Sequence, residues 1–227
     1  MFIGWCYKDD VLTEEECKYL IDIARPGLTK AGILMNYEEE GDPSAVTARD
    51  EIRQGSVYFF QKGQHPEADV ILSKLVNAFG ELVQWYWGYT LKSVAPIQLA
   101  FYKPGDYYEW HYDSPGSREQ AEVPELRRDF SATIELTCPK TYEGGGLEFM
   151  PAGKPESKQG RMIAFPSFLL HRARKVLAGE RIALVLWANS NLFTELKNDE
   201  PVDMQQTQDS SQTPQQVIKA KVLDQLP

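Results

Sequence analysis

The sequence predicts an α+β fold that is mainly β: a double-stranded β-helix, or jelly roll, with supporting helices on its N-terminal side. Three observations carry this. Two early stretches repeat apolar residues every three or four positions, as helices do, and from Gln98 onward the spacing changes to that of strands. Short strand-like segments then follow at 96–103, 107–113, 129–137, 146–150, 159–166, 169–175 and 180–188, with Gly and Pro between them. Finally, 227 residues with 42% apolar content can bury one substantial core, and barrels or sandwiches of this size are routinely single domains. The expected organisation is a support region at 1–95, part of the same domain as a β core at 96–192, followed by a flexible Gln-rich tail at 198–227.

In chain order, Ile3 to Tyr7 reads as a first short strand. Thr13-Glu14-Glu15-Glu16 forms a capping box, with Leu12 and Cys17 at the hydrophobic-staple positions. The helix it opens runs from Thr13 to Ala24 and stops at Pro26-Gly27. Residues 31–53 are irregular and acidic at Glu38-Glu39-Glu40-Gly41-Asp42, and read either as a solvated surface loop or as a lid over a substrate cleft. Arg53 to Phe60 is a strand. From Glu67 to Tyr86, Leu72, Leu75, Val76, Phe79, Leu82, Val83 and Tyr86 form the apolar stripe of one long helix. The aromatic cluster Trp85, Tyr86, Trp87 and Tyr89 at its end reads as core. Gly144-Gly145-Gly146 precedes a strand, with no helix N-terminus to cradle a phosphate, so a tight turn or bulge is expected. The tail from Asn198 holds seven glutamines and cannot build its own core, although Val217 to Leu226 has the spacing to dock as a short helix.

Composition removes several classes of function. A formal net charge of −9 lacks the clustered Lys/Arg excess that phosphate backbones require, so no nucleic-acid partner is expected. Cys6, Cys17 and Cys138 are an odd set without CxxC spacing and read as reduced thiols of an intracellular protein. No apolar run approaches the roughly 18 residues of a membrane span, and MFIGWCYKDD lacks the basic and apolar regions of a leader. The expectation is a cytoplasmic protein without a membrane partner, either a monomer or a homodimer.

The chemistry-bearing stretch is Gln98 to Ser114, QLAFYKPGDYYEWHYDS: a strand, a Pro-Gly turn and a second strand ending in His111-Tyr112-Asp113. Alternation along a strand puts His111 and Asp113 on one side and Tyr112 on the other, so one imidazole and one carboxylate can take adjacent positions on a metal ion. A third ligand must come from the two remaining histidines. His65 precedes Pro66 at a helix start and has no polar company, whereas His171 follows the apolar run Met162 to Leu170 and is the better candidate. Two histidines and one carboxylate make the facial triad of non-haem Fe(II) oxygenases, whose open positions suit a bidentate 2-oxo acid and O2.

From Gln98 to Asn189 the sequence resembles the Fe(II)/2-oxoglutarate-dependent dioxygenases of the prolyl 4-hydroxylase type. RRDFSATIEL, YEGGGLEF and the ten-residue step from His171 to Arg181 are most similar to the PKHD-type hydroxylases. The resemblance implies a jelly roll in which His111, Asp113 and His171 bind Fe(2+), Arg181 pairs with the distal carboxylate of 2-oxoglutarate, and Tyr102 hydrogen-bonds the same co-substrate. A guanidinium fork suits that task, because a buried carboxylate is costly unless paired and hydrogen-bonded. Ascorbate is an auxiliary candidate. Arg181, Ala183, Val185 and Trp187 share one face of their strand, and Tyr108 and Trp187 are candidates for the substrate wall. Ser131, Thr133 and Glu135 share a face of the 129–137 strand and are candidates for touching substrate or for backing residues that do. The charged loop after Asp113 reads as a substrate clamp or as a plain connector. The function expected is hydroxylation of a prolyl residue in a peptide or protein, with succinate and CO2 as co-products. Two alternatives stand beside it. A free amino acid or small metabolite would be favoured by a closed pocket with a second basic residue near the metal; a non-catalytic jelly-roll binding module would show no iron affinity.

Overall fold

The computed structural model describes residues 4–31, 33–34, 46–47, 51–114 and 127–191. The acidic stretch around Glu38, most of the charged connector after Asp113 and the Gln-rich tail lie outside the described residues, and so do the lid, clamp and docking-helix readings attached to them. The chain divides into units at 1–192 and 193–227.

Helix α1 (Glu14–Ala24) starts with the expected box: the Glu16 amide donates to Thr13 Oγ1 at 3.2 Å and the Thr13 amide donates to the Glu16 carboxylate at 2.8 Å. Helix α2 (Pro66–Trp87) begins at a proline, whose missing N–H has no helical acceptor at that position anyway, and ends at Gly88 with φ 76°. It buries Leu72, Leu75, Phe79, Leu82, Val83 and Trp87. Trp85 is 84% exposed and Tyr86 42% exposed, contrary to the expectation that the whole aromatic cluster is core and that Tyr86 belongs to the buried stripe. On the helical wheel Trp85 lies opposite the buried Val83 and Trp87, and Tyr86 falls at the edge of the stripe, so the apolar face passes both by.

The strands are β1 (Cys6–Lys8), β2 (Thr29–Lys30), β3 (Ile33–Leu34), β4 (Val46–Thr47), β5 (Arg53–Gln54), β6 (Ser56–Phe59), β7 (Leu91–Val94), β8 (Gln98–Tyr102), β9 (Tyr107–His111), β10 (Phe130–Glu135), β11 (Glu143–Gly144), β12 (Leu147–Phe149), β13 (Met162–Pro166), β14 (His171–Ala173), β15 (Val176–Ala178) and β16 (Arg181–Ser190). The main sheet runs β1-β13-β10-β16-β8-β6-β2 with β7 also on β16, and the smaller one runs β12-β14-β9-β5. The helices cover the main sheet, as expected of a jelly roll with helical support.

Two segments, one read as a single strand and one as two strands joined by a turn, cross between the sheets. The 53–60 strand divides at Gly55, with β5 in the small sheet and β6 in the main one. Gly55 has φ 152°, and a Cβ there would stand 3.1 Å from the Phe101 carbonyl oxygen and 3.2 Å from the Tyr102 ring, so glycine allows the crossing. The Pro104-Gly105 turn likewise carries the chain from β8 in the main sheet to β9 in the small one. The Lys103 amide donates to the Asp106 carboxylate at 2.9 Å and the Asp106 amide donates to the Lys103 carbonyl at 2.9 Å, closing that turn.

The main sheet is covered on both faces. Leu99 and Phe101 of β8, Phe130, Ala132 and Ile134 of β10, Met162 and Ala164 of β13, and Ile182, Leu184, Leu186 and Ala188 of β16 join Cys17, Leu20, Leu75, Phe79 and Val83 in one apolar cluster. The alternate residues face the space between the sheets. Burial pushes the Cys6 and Cys17 thiols up to about 12, so both are protonated packing groups. Among the described residues, no helix is long and apolar enough to cross a membrane.

Candidate metal centre and co-substrate pocket

Antiparallel pairing of β9 with β14 sets His171 directly across from His111, with ring centroids 4.2 Å apart. Asp113 arrives differently from the expectation. β9 ends at His111, and Asp113 lies in the turn beyond it, fixed by donation of its amide to the Ser167 carbonyl at 3.0 Å. The Ser167 side chain is itself tied to Ser131 on β10 by a 2.7 Å hydroxyl pair. Ser131 therefore holds the loop that positions the carboxylate.

Each imidazole is oriented by a backbone carbonyl. Nδ1 of His111 lies 2.7 Å from the Glu109 oxygen and Nδ1 of His171 lies 2.8 Å from the Leu169 oxygen. A carbonyl only accepts, so each Nδ1 carries the hydrogen and each Nε2 presents a lone pair. Those Nε2 atoms stand 3.6 and 3.5 Å from the two Asp113 oxygens, and the three ligand atoms lie within 4.8 Å of one another, a spacing that could hold one cation. Burial drives His171 down to about 4 against the pull of Asp113, so its imidazole is neutral, the ligating form. Burial opposes charge on Asp113, but His171, His111 and Arg128 outweigh it and keep the carboxyl below its usual range. Its Oδ2 is buried without a hydrogen-bond donor, a costly state that a divalent cation would relieve. The residues present fit Fe(2+).

Tyr108 stacks on His111 with centroids 3.5 Å apart and planes 13° off parallel. In a regular strand these two residues would point to opposite faces. The register shift that pairs His171 with His111 but Ala173 with Tyr108 inserts an extra residue in β9 and brings both rings together. Burial pushes the Tyr108 hydroxyl up to about 12.

The triad forms one end of a cavity of about 490 Å³, counting its open mouth, and β8, β10 and β16 supply much of the rest of its wall. Tyr102, Thr133, Arg181, Ala183, Val185 and Trp187 all line it. Arg181 is directly across from Tyr102 in the β16–β8 register, with its guanidinium carbon 5.9 Å from the tyrosine ring. It is 4% exposed and donates through Nε to Glu135 Oε2 at 3.0 Å, and Tyr142 lies against the same pair. Burial opposes charge on the arginine, but Glu135 beside it holds its pKa above the ordinary value. The Nε–H is one of five guanidinium donors, so the terminal nitrogens can still make a bidentate contact with a carboxylate. Glu135 does not line the main cavity; it backs Arg181 from an adjoining recess.

The glycine run serves this arginine as well as the turn. The β11–β15 register shifts between Glu143 and Gly144, as a bulge does. At Gly145, with φ 67°, a Cβ would stand 2.9 Å from Arg181 Cδ.

Sequence reasoning missed two polar groups that line the cavity, Arg53 and Gln98, and a third, Arg128, that packs on the lining Trp187. Arg53 is 6% exposed, donates to Gln98 Oε1 at 2.8 Å and lies 4.6 Å over the Tyr108 ring. Arg128 lies 4.0 Å over the Trp187 ring. Gln98 was findable, since it shares strand parity with Ala100 and Tyr102. Arg53 and Arg128 sit where the strand pattern stops, and no spacing rule aims them. His65, the remaining histidine, directly precedes α2 and does not line the cavity.

Residues 97–189 match a family model described as the 2OG-Fe(II) oxygenase superfamily. A PKHD-type hydroxylase of Thermosynechococcus vestitus is 30% identical over 199 residues, which cover 84% of this chain and 80% of that protein. A PKHD-type hydroxylase of Hyphomonas neptunium is 38% identical over 101 residues, so this match spans 42% of the chain and 43% of that relative. Among solved structures, a prolyl hydroxylase from Trichoplax adhaerens in complex with a hypoxia inducible factor oxygen degradation domain peptide fragment superposes with a TM-score of 0.64 at 18% identity, covering 85% of this chain and 86% of that one.

Proposed function

Because the chain belongs to the 2OG-Fe(II) oxygenase superfamily, and within it to the PKHD-type hydroxylases, we propose that it hydroxylates an unactivated C–H bond, with a prolyl residue of a peptide or protein as the first candidate substrate. One observation carries the reading. Two imidazole Nε2 atoms converge on a buried carboxylate whose Oδ2 has no donor, at one end of a cavity whose wall carries Arg181 and Tyr102. In this reading His111, Asp113 and His171 hold Fe(2+), and Arg181 with Tyr102 receives the distal carboxylate of 2-oxoglutarate. Bound there, iron and 2-oxoglutarate supply the oxidation, consuming O2 and releasing succinate and CO2 as hydroxyl enters the substrate.

The residues of the chain supply placement. The carbonyls of Glu109 and Leu169 fix both imidazoles, Ser167 fixes Asp113, and Glu135 fixes the Nε edge of Arg181. Tyr108 packs flat on His111 and Trp187 forms wall, which limits water at the reacting end. Prolyl chemistry is supported by the fold shared with the Trichoplax prolyl hydroxylase. The second reading, a free amino acid or small metabolite, is supported by basic groups close to the metal end, Arg53 on Tyr108 and Arg128 on Trp187. Cytoplasmic residence, ascorbate as an auxiliary reductant, and action as monomer or homodimer belong to the same proposal.

The test is a panel of prolyl peptides and free amino acids incubated with enzyme, iron and 2-oxoglutarate and read by mass spectrometry. A gain of about 16 Da that requires both iron and 2-oxoglutarate is expected. A folded protein that takes up no iron and turns over no 2-oxoglutarate would instead be a binding module.

A further inference from the structure

The end of the cavity away from the metal carries a buried charged pair. Arg181 Nε donates to Glu135 Oε2 at 3.0 Å, and both residues are buried. Glu135 pairs with Ala183 in the β10–β16 register, two residues along from Arg181, so both side chains project into the space between the sheets. Arg181 lines the main cavity and the adjoining recess, whereas Glu135 lines the recess, so it meets the guanidinium from behind. Other groups face Glu135 as well. The Tyr142 hydroxyl and the Thr137 amide stand beside its carboxylate, and the protonated Cys17 thiol of α1 lies within electrostatic reach. Tyr102 lies across from Arg181 on β8. Arg161 and Lys158 line the same recess, but Arg161 is bound to Asp9 and Glu156, and Lys158 to Asp9 and Asp10. Arg181 is the cation that Glu135 contacts directly.

Arginine and carboxylate together are neutral, and a second carboxylate upsets that balance. With the distal carboxylate of 2-oxoglutarate on the terminal nitrogens, one guanidinium serves two carboxylates in a place screened from water. Two carboxylates sharing a site do not both stay ionised without cost, and one is driven toward its protonated form. Glu135 is the one placed to take the proton. The ligand carboxylate can engage two terminal nitrogens at once, whereas Glu135 receives Nε. Burial already pushes the Glu135 carboxyl above its ordinary value, against the pull of Arg181, Tyr142 and the Thr137 amide. As an acid it keeps a carbonyl oxygen that accepts from the Nε–H, so Arg181 stays in place, and it gains an O–H donor.

We propose that 2-oxoglutarate binds together with a proton: as its distal carboxylate docks on the terminal nitrogens of Arg181, Glu135 takes a proton from solvent at a carboxylate oxygen. The inference rests on the reading of Arg181 as the anchor of the co-substrate. Glu135 is then a positioning residue of the co-substrate end, and the affinity for 2-oxoglutarate depends on pH. Because the ligand raises the pKa of Glu135, affinity is fullest below the ligand-free value. It falls as pH rises toward the ligand-bound value, by at most about tenfold per pH unit.

Calorimetry on the protein saturated with Mn(2+) tests this. 2-Oxoglutarate is titrated in buffers of different ionisation enthalpy, and the series is repeated from about pH 6 to about pH 9. An uptake approaching about one proton per ligand is expected within that range, with affinity falling as pH rises. 2-Oxopentanoate, which keeps the chelating end and lacks the distal carboxylate, should bind without the uptake. So should 2-oxoglutarate in Glu135→Gln, whose amide oxygen still accepts from the Nε–H of Arg181. In the parent protein, the infrared difference spectrum on adding isotope-labelled 2-oxoglutarate, whose own carbonyl bands are displaced, should gain a carboxylic-acid band. That measurement decides the matter if Glu135→Gln does not fold. Binding of 2-oxoglutarate with no proton taken up and no such band overturns the proposal, as does an undiminished uptake in folded Glu135→Gln or with 2-oxopentanoate. A parent protein that does not bind 2-oxoglutarate, or an Arg181→Gln variant that binds it as tightly as the parent, is a different result and removes the reading of Arg181 beneath the proposal.

Discussion

The two faces of the main sheet come from the same strands and the same alternation, yet they are made of different chemistry. Toward the helices, β8, β10 and β16 present Leu99, Phe101, Ile134, Leu184 and Leu186, all buried and all apolar. Toward the small sheet the same strands present Gln98, Tyr102, Ser131, Thr133, Glu135 and Arg181, equally buried. Burial of polar groups is unfavourable unless each finds a partner, so a fold selected for stability alone would have two faces like the first. One face of the sheet assembles the protein; the other tolerates a cost in order to hold ligands.

Substitutions on the two faces should therefore fail in different ways. The largest effect is expected at the metal end: His111→Ala should reduce 2-oxoglutarate-dependent succinate formation to background, while circular dichroism and the thermal midpoint stay near those of the parent. On the helix-facing side, Leu184→Ala should cost about 2–5 kcal/mol of stability by leaving a cavity, measurable by urea unfolding, with the KM for 2-oxoglutarate unchanged in the folded fraction. Arg181→Gln should raise that KM by about ten- to a hundredfold, the value of a charge-assisted pair, and move kcat less; a KM within about twofold of the parent would mean the distal carboxylate binds elsewhere. Gly145→Ala joins both behaviours. Its positive φ costs on the order of 1–2 kcal/mol for a residue with a Cβ, and the displaced Arg181 should weaken 2-oxoglutarate binding as well. The smallest effect is at the far edge of the apolar layer, where Thr13→Ala should cost about 1 kcal/mol through loss of the cap and leave turnover untouched.

How legible each face was follows from the same contrast. The helix-facing layer could be read directly, since the period of α2 and the capping box at Thr13 are local signals that the packed structure leaves intact. The histidine pair was readable as candidates because the chain has only three histidines, but their meeting depends on the β9–β14 register, which no local pattern specifies. Asp113 was expected on the strand and lies beyond its end, because the Ser167 carbonyl captures its amide and stops the pairing. The crossing at Gly55 was hidden for a related reason, since a strand that changes sheets keeps the alternation of one that does not, and the turn expected at Pro104-Gly105 gives no sign that the strands it joins lie in different sheets. Tyr108 joined His111 on one face through a bulge, and Arg53 reaches the cavity and Arg128 reaches Trp187 from strand ends, where periodicity carries no direction.

Anomalous diffraction at the iron edge, from crystals grown anaerobically with Fe(2+) and 2-oxoglutarate, addresses the central assignment most directly. The expected map holds one iron peak bonded to His111 Nε2, His171 Nε2 and an Asp113 oxygen, with the distal carboxylate of 2-oxoglutarate on Arg181 beside Tyr102. An iron bound elsewhere, or a 2-oxoglutarate whose distal carboxylate avoids Arg181, would contradict it.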